Sequence, residues 1–275
     1  MILVYGDDSS DGRAQRVLAI GLVVGAEGSW ADLEAKWKER CQGTPFHANE
    51  CESDQGDFKG RSHADNKALY RDLVALLAAS SLTGFGFGFD LEAQRQIMPG
   101  ALPLAYYRAF GECVDAVLRL CSNVGHEAEI TFDMGDERKY NAGLLYEWVR
   151  ASSANGPRWL PSDKLGFGRW RESPRLQAAD LIAFEVMKAL DNSRGPVRRP
   201  TRKSWEVLGA SGKFGCELFS EEWFRGLKAD LPNLEARLGI KPDSYARWLK
   251  ASGRQHSVSN LFHFFGRQWE EGRSG

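Results

Sequence analysis

The chain has 275 residues, enough for one large domain or a core with an appendage, so burial alone can stabilise it without disulfide or metal staples. Its 36 Lys and Arg balance 37 Asp and Glu for a formal charge of −1, which excludes a wholesale basic coat for nucleic acid and makes any polyanion contact local. Five cysteines form an odd set without a CxxC pair, pointing to free thiols in a reducing cytosol. Cys41, His47, Cys51 and His63 cluster in sequence like the ligands of a zinc site, but their spacing matches no regular finger, and buried thiols with loop histidines are the expectation. No apolar run approaches the ~20 residues of a membrane span, so a cytoplasmic protein with no membrane part is expected.

The first stretch, MILVYGDDSSDG, reads as a strand ending at the paired carboxylates Asp7 and Asp8, followed by a Ser9–Gly12 turn. Val17–Gly25 is a second, almost wholly apolar strand, so the two predict a hairpin with a strand buried on both faces. Ser29 is placed to cap a helix over Trp30–Cys41. Pro45–Gly60 is polar, acidic and glycine-containing, and reads as a loop or an irregular entry to the helix Ala64–Ala79. Leu82–Asp90 alternates phenylalanine with glycine, which predicts a strand whose glycine face lies beneath a close neighbour.

A helix is expected over Pro103–Cys121, then a strand at Ala128–Asp133, a helix at Tyr140–Ala151 and a further strand within Trp159–Phe167. Ser173 and Pro174 supply a cap and a first-turn proline for a helix over Arg175–Leu190. The texture changes near Asn192: Arg194–Lys203 holds five basic residues and two prolines without an acid, and aromatic-rich helical pieces follow. A core over residues 1–191 is therefore expected, followed by a basic linker and a mainly helical extension over 192–275.

Asp7 and Asp133 both fall at the carboxyl end of a predicted strand, where open α/β sheets build their sites. Asp180 is the one charged residue within Ala178–Phe184, on a helix face that should pack against the sheet; a carboxylate there is costly unless paired or bound to a cation. Taken singly, each acid has an ordinary explanation, Asp7 and Asp8 as turn formers above all. Three carboxylates together suit a hard divalent cation, Mg2+ or Mn2+, which takes oxygen ligands and leaves positions for phosphate oxygens. Two such ions about 4 Å apart assist hydrolysis of a phosphodiester.

Four ordered segments resemble the domain-of-unknown-function family 3800, a group of prokaryotic proteins placed with the ribonuclease-H-like fold. They are Asp7-Asp8-Ser9-Ser10, Phe46-His47-Ala48-Asn49-Glu50, Ile130-Thr131-Phe132-Asp133 and Leu176-Gln177-Ala178-Ala179-Asp180, spanning residues 5–184. The resemblance implies a ribonuclease-H-like mixed sheet flanked by helices, with Asp7, Asp133 and Asp180 as metal acids and Glu50 as a fourth. It also implies that His47 positions a water or the leaving group, and that Asp8, Ser9 and Gln177 support the site or touch substrate. Asp8 and Ser10 stand where the family has glutamate and glycine.

The expected function is a metal-dependent nuclease, with DNA and RNA equally open as substrate. Arg198, Arg199, Arg202 and Lys203 are the candidates for phosphate contact. Two alternatives stand beside it: a catalytically silent nucleic-acid or protein-binding module of a prokaryotic defence or mobile-element system, and a metal phosphohydrolase of small nucleotides. The aromatic-rich extension offers a surface for a protein partner or a second copy of the chain.

Overall fold

The computed structural model describes residues 1–11, 16–97, 105–133, 142–143, 145–147, 149–151, 155–194, 197–226 and 228–229. It is an α/β fold built on one six-stranded mixed sheet flanked by helices. The strands are β1 (Ile2–Ser10), β2 (Val17–Gly25), β3 (Thr83–Asp90), β4 (Ala128–Asp133), β5 (Leu165–Gly168) and β6 (Phe214–Phe219), in the order β5-β4-β1-β2-β3-β6. β2 runs antiparallel to β1 and β3, and the remaining pairs are parallel, so β1, β3, β4, β5 and β6 all point one way. Their carboxyl ends share one edge.

The helices are α1 (Glu27–Cys41), α2 (Ala48–Ser53), α3 (His63–Ala79), α4 (Leu91–Ile97), α5 (Ala105–Val124), the single turn α6 (Gly156–Trp159), α7 (Pro174–Ser193) and α8 (Lys203–Ala210). One face of the sheet packs against α4 and α5 through Val4, Ile20, Leu22, Phe87, Phe89, Ile130 and Phe132. The other packs against α1, α3 and α7 through Leu3, Ala19, Val23, Trp30, Leu69, Ile182 and Val186. Strand alternation divides the two sets: even positions of β1 and β4 face α5, and odd positions of β1 face α7.

α7 lies directly on the sheet because the strands beneath it lack side chains at the crossing. A Cβ at Gly21 would run into the backbone nitrogen of Ala183, one at Gly86 would stand 2.7 Å from Val186 Cγ2, and one at Gly88 would stand 3.3 Å from Leu190 Cδ2. The glycine face expected of β3 is thus the floor of α7, while Phe87 and Phe89 fill the opposite core. So close a seat buries α7 on nearly every side from Leu176 to Met187. Ser173 caps the helix by accepting from the Leu176 N–H, with Pro174 in the first turn.

Most expected elements form, with several corrections. β1 does not stop at the aspartates but stays paired with β2 as far as Ser10 with Leu18. Helix α1 starts at Glu27 with Ala26 at its cap, leaving Ser29 inside the first turn. The polar stretch Pro45–Gly60 is not all loop: it contains α2, whose cap is His47 rather than a serine or aspartate. The expected strand within Trp159–Phe167 is shorter and later, because Trp159 closes the α6 turn and pairing with β4 begins at Leu165.

The boundary placed near Asn192 does not end the sheet. Phe214–Phe219 pairs in parallel with β3 as its sixth strand, and α8 packs on α3, so the segment after α7 belongs to the same core. The alternation that marks β6 is only six residues long and includes Gly215, too short to stand out from the helical texture around it. Trp248, Phe262, Phe264, Phe265 and Trp269 lie outside the described residues, whereas the expected helix Tyr140–Ala151 is helical at its described positions 142–143, 145–147 and 149–151. Among the described residues no helix is long and apolar enough to cross a membrane.

If the glycine floor sets the height of α7, Gly21→Ala should destabilise the protein by about 3 kcal/mol, since backbone meets backbone there and cannot yield. Gly28→Ala in α1, where a Cβ meets nothing within 4 Å, should be neutral or stabilising by about 0.5 kcal/mol. Urea denaturation of the two variants checks both.

Candidate functional site

The parallel pairing of β1 with β4 ends at Gly6 with Phe132, so the next position on each strand, Asp7 and Asp133, comes where the two strands stop bonding to one another. Both sit at odd positions of their strands, on the α7 face. Asp7 is nearly buried, at 8% exposure, and its Oδ1 accepts the N–H of Asp8 at 2.7 Å. Asp133 Oδ2 accepts the N–H of Trp170 at 3.1 Å, just beyond β5. Asp8 alternates to the α5 face, so the paired aspartates do not act as a paired ligand, whereas Ser9 returns to the Asp7 face one step farther out.

Asp180 arrives from α7 and is 3% exposed. Its Oδ2 accepts the N–H of Ala48 at 2.6 Å, one of the first-turn donors of α2 that have no partner within the helix. No lysine or arginine pairs with Asp7 or Asp180 among the described residues. The structural explanation open to Asp180, a neighbouring arginine, is therefore absent there. His47, at the cap of α2, packs its ring against Trp170 at 4.9 Å between centroids, and its Nδ1 accepts the Glu50 N–H at 3.4 Å.

Glu50 leans from α2 over Gly56. A Cβ on Gly56 would coincide with the Glu50 carboxylate, and at φ +54 the glycine occupies a backbone conformation that side chains disfavour. Glu50 Oε2 is buried and has no hydrogen-bond partner. Such an oxygen ordinarily costs desolvation energy unless something else approaches it.

Gln177 stands behind the site rather than bonding an acid directly. Its Oε1 accepts from Trp37 Nε1 at 3.0 Å and its Nε2 donates to the Trp170 carbonyl at 3.0 Å. The Trp170 N–H in turn bonds Asp133, so Gln177 and Asp133 hold the two backbone groups of the same residue. Nothing in the sequence flags Trp37, Gly56 or Trp170, because their relevance arises only from contacts with residues far away in the chain.

Electrostatics tie the acids together. Burial raises the Asp7 carboxyl well above the usual range, and the neighbouring charges of Asp180, Asp8 and Asp133 raise it further. Burial likewise pushes Asp180 up to about 6 despite the opposing effects of His47 and the Ala48 N–H, with Asp133 and Glu50 adding to the rise. Five acids thus act on one another across elements that begin at residue 2 and end at residue 193. Among the described residues, however, no three His, Cys, Asp or Glu groups are gathered closely enough to hold an ion as they stand.

Three of the five basic residues of the stretch are held in ion pairs within the chain. Arg202 forks onto Glu52 and reaches Glu185, Arg199 pairs with Asp191 at 2.6 Å, and Arg194 pairs with Asp90 at 2.7 Å. Two of the four candidates for phosphate contact, Arg199 and Arg202, thus already have carboxylate partners in the fold, Arg199 in an exposed pair and Arg202 in a largely enclosed one. Arg198 and Lys203 make no ion pair among the described residues. Nearer the acids, Arg171 stacks over Trp170 at 4.6 Å and pairs with Asp57 at 2.7 Å.

All five cysteines are free. Burial pushes the thiols of Cys41 and Cys51 up to about 11 and about 12, unlike the ready thiolates that zinc requires. His63 is engaged with Asp54 at 2.8 Å.

No family model, curated protein or solved structure matches this chain. The likeness to family 3800 accordingly rests on the four sequence segments.

For Asp180 the sign of the pH dependence follows from a folded value above the unfolded one. The charged form is disfavoured by folding, so metal-free stability should fall as pH rises from about 4 through about 6 and level off beyond. Asp180→Asn keeps an oxygen for the Ala48 N–H and removes the charge; it should stabilise the metal-free protein by about 2 kcal/mol at pH 7.5 and by little at pH 4. Thermal melts of both proteins across that range test this.

Proposed function

We propose that this protein is a metal-dependent nuclease that hydrolyses phosphodiester bonds of nucleic acid, with Asp7, Asp133, Asp180 and Glu50 holding Mg2+ or Mn2+. The observation that supports this most is the burial of Asp7 and Asp180 in one another's field with no arginine or lysine among the described residues to neutralise either. A cation is the simplest agent that would relieve their shared penalty. The donors are all oxygens, and the buried unpartnered Glu50 Oε2 adds another, so the set fits a hard divalent ion in chemistry. Its spacing is wider than coordination requires, and closing it takes side-chain movement. The mixed sheet with helices on both faces supports the ribonuclease-H-like reading.

When bound, a divalent ion supplies an acidified water and positive charge for the leaving oxygen. The chain's own groups supply the rest. Ala48 N–H, Asp8 N–H and Trp170 N–H fix one oxygen each of Asp180, Asp7 and Asp133, which orients the carboxylates for a shared ion. With Nδ1 of His47 accepting from the Glu50 amide, Nε2 carries the hydrogen and can donate a hydrogen bond to the leaving oxygen or to a water. No serine or cysteine intermediate is needed.

A second reading, a metal phosphohydrolase of small nucleotides, draws on the internal pairing of Arg199 and Arg202, which removes half of the basic track that a polymer would use. A silent binding module is a third, in which the acids bind no ion.

Calorimetry with Mn2+ should show binding that is lost in Asp7→Asn. Asp133→Asn should lower phosphodiester hydrolysis at least a hundredfold while leaving the fold intact. Full activity in Asp133→Asn would remove it from the site. Charge reversal at Arg198 and Lys203 separates the two hydrolase readings, because only cleavage of a polymer should suffer.

A further inference from the structure

Glu50 and the N–H that bonds Asp180 both belong to α2, which has only six residues. A helix so short cannot hold itself in place and takes its position from tertiary contacts. Its inner side is seated by Ala48 and Cys51, and its outer end carries Glu52. Glu52 meets Arg202 in a two-pronged pair, Nη1 to Oε1 at 2.7 Å and Nη2 to Oε2 at 2.9 Å. The same guanidinium turns its Nε to both oxygens of Glu185 at 3.2 Å.

Glu185 is fully buried on α7, five residues beyond Asp180, and also accepts the Tyr70 hydroxyl at 2.5 Å. Tyr70 and Phe184 face the guanidinium at 5.8 and 5.6 Å, completing its enclosure. Arg202 itself lies at the cap of α8, between α7 and the strand β6.

We propose that Arg202 and Glu52 are positioning residues for the acid site: the Glu52–Arg202–Glu185 bridge sets α2 against α7 and so fixes Glu50 and the Ala48 N–H relative to Asp180. The planar fork matters, because one guanidinium satisfies two carboxylates on different helices, which an ammonium cannot match in geometry. Burying Glu185 without a cation would be costly, so the bridge is also the reason a charged residue is tolerated in the middle of α7. The basic segment after α7 then acts as internal support for the site. The link to metal binding rests on the function proposed above, whereas the link between α2 and α7 does not.

The experiment uses Glu52→Gln, which cuts the α2 arm and leaves Arg202 with Glu185, together with Arg202→Lys, which keeps the charge and loses the fork. Hydrogen exchange followed by NMR should show the Ala48 amide exchanging at least tenfold faster in both variants, with the paired amides of β1 and β2 unchanged. Mn2+ affinity by calorimetry should fall about tenfold alongside. Ala48 protection equal to wild type in both folded variants overturns the proposal. So does faster Ala48 exchange with Mn2+ affinity unchanged, because α2 would then be loosened without consequence for the acids. A wild-type protein that binds no Mn2+ overturns the metal function instead, and Ala48 exchange still decides whether the bridge holds α2 to α7.

Discussion

The site depends on one packing constraint, the direct seating of α7 on strands that present glycine to it. Gly21, Gly86 and Gly88 leave room for the helix backbone and its small or branched residues to lie against the sheet, which buries α7 on almost every side. A carboxylate in such a helix has little access to water. Asp180 faces Asp7 and Asp133 electrostatically because α7 is seated low enough to share their layer, and it gains one backbone donor from α2 in place of a counter-ion. Had the floor carried side chains, the helix would stand higher and Asp180 would be more solvated.

Two separate kinds of support surround that cluster. Backbone groups hold the acids individually: the Asp8 amide on Asp7, the Ala48 amide on Asp180, and the Trp170 amide on Asp133 with Gln177 behind it. Side-chain ion pairs hold the elements that carry them. Arg175 ties the start of α7 to Glu27 and Glu34 of α1, and Arg202 ties its middle to α2. Neutral amide donors steady the carboxylates without cancelling their charge, while the arginines stand away from them. This separation keeps the negative potential available to a ligand.

Local structure was legible where a periodic pattern ran long enough. The apolar run Val17–Gly25 and the alternation of AEITFD mark β2 and β4 to the residue, and Ser173-Pro174 marks the start of α7. The Phe-Gly alternation of β3 even disclosed the close neighbour on one face. Failures came where a stronger long-range term overrode the local signal. Asp8 and Ser9 suggest a turn, yet the ladder to β2 carries β1 through Ser10; α2 lacks a usual cap and is too short to announce itself; β6 is an edge strand inside a helical context.

The identity and order of the acids were set by the sequence alone: Asp7 and Asp133 near the ends of strands, and an isolated Asp180 in an apolar helix. Their chemistry was not, because pairing is a property of neighbours in space. Arg199 and Arg202 look like a free basic track in sequence, and only folding brings Asp191, Glu52 and Glu185 to them. Gln177 is likewise silent about its partner until α1 and the Trp170 turn arrive on either side. Register, helix height and side-chain direction decide these matters, and all three come from long-range packing that no local stretch of residues encodes by itself.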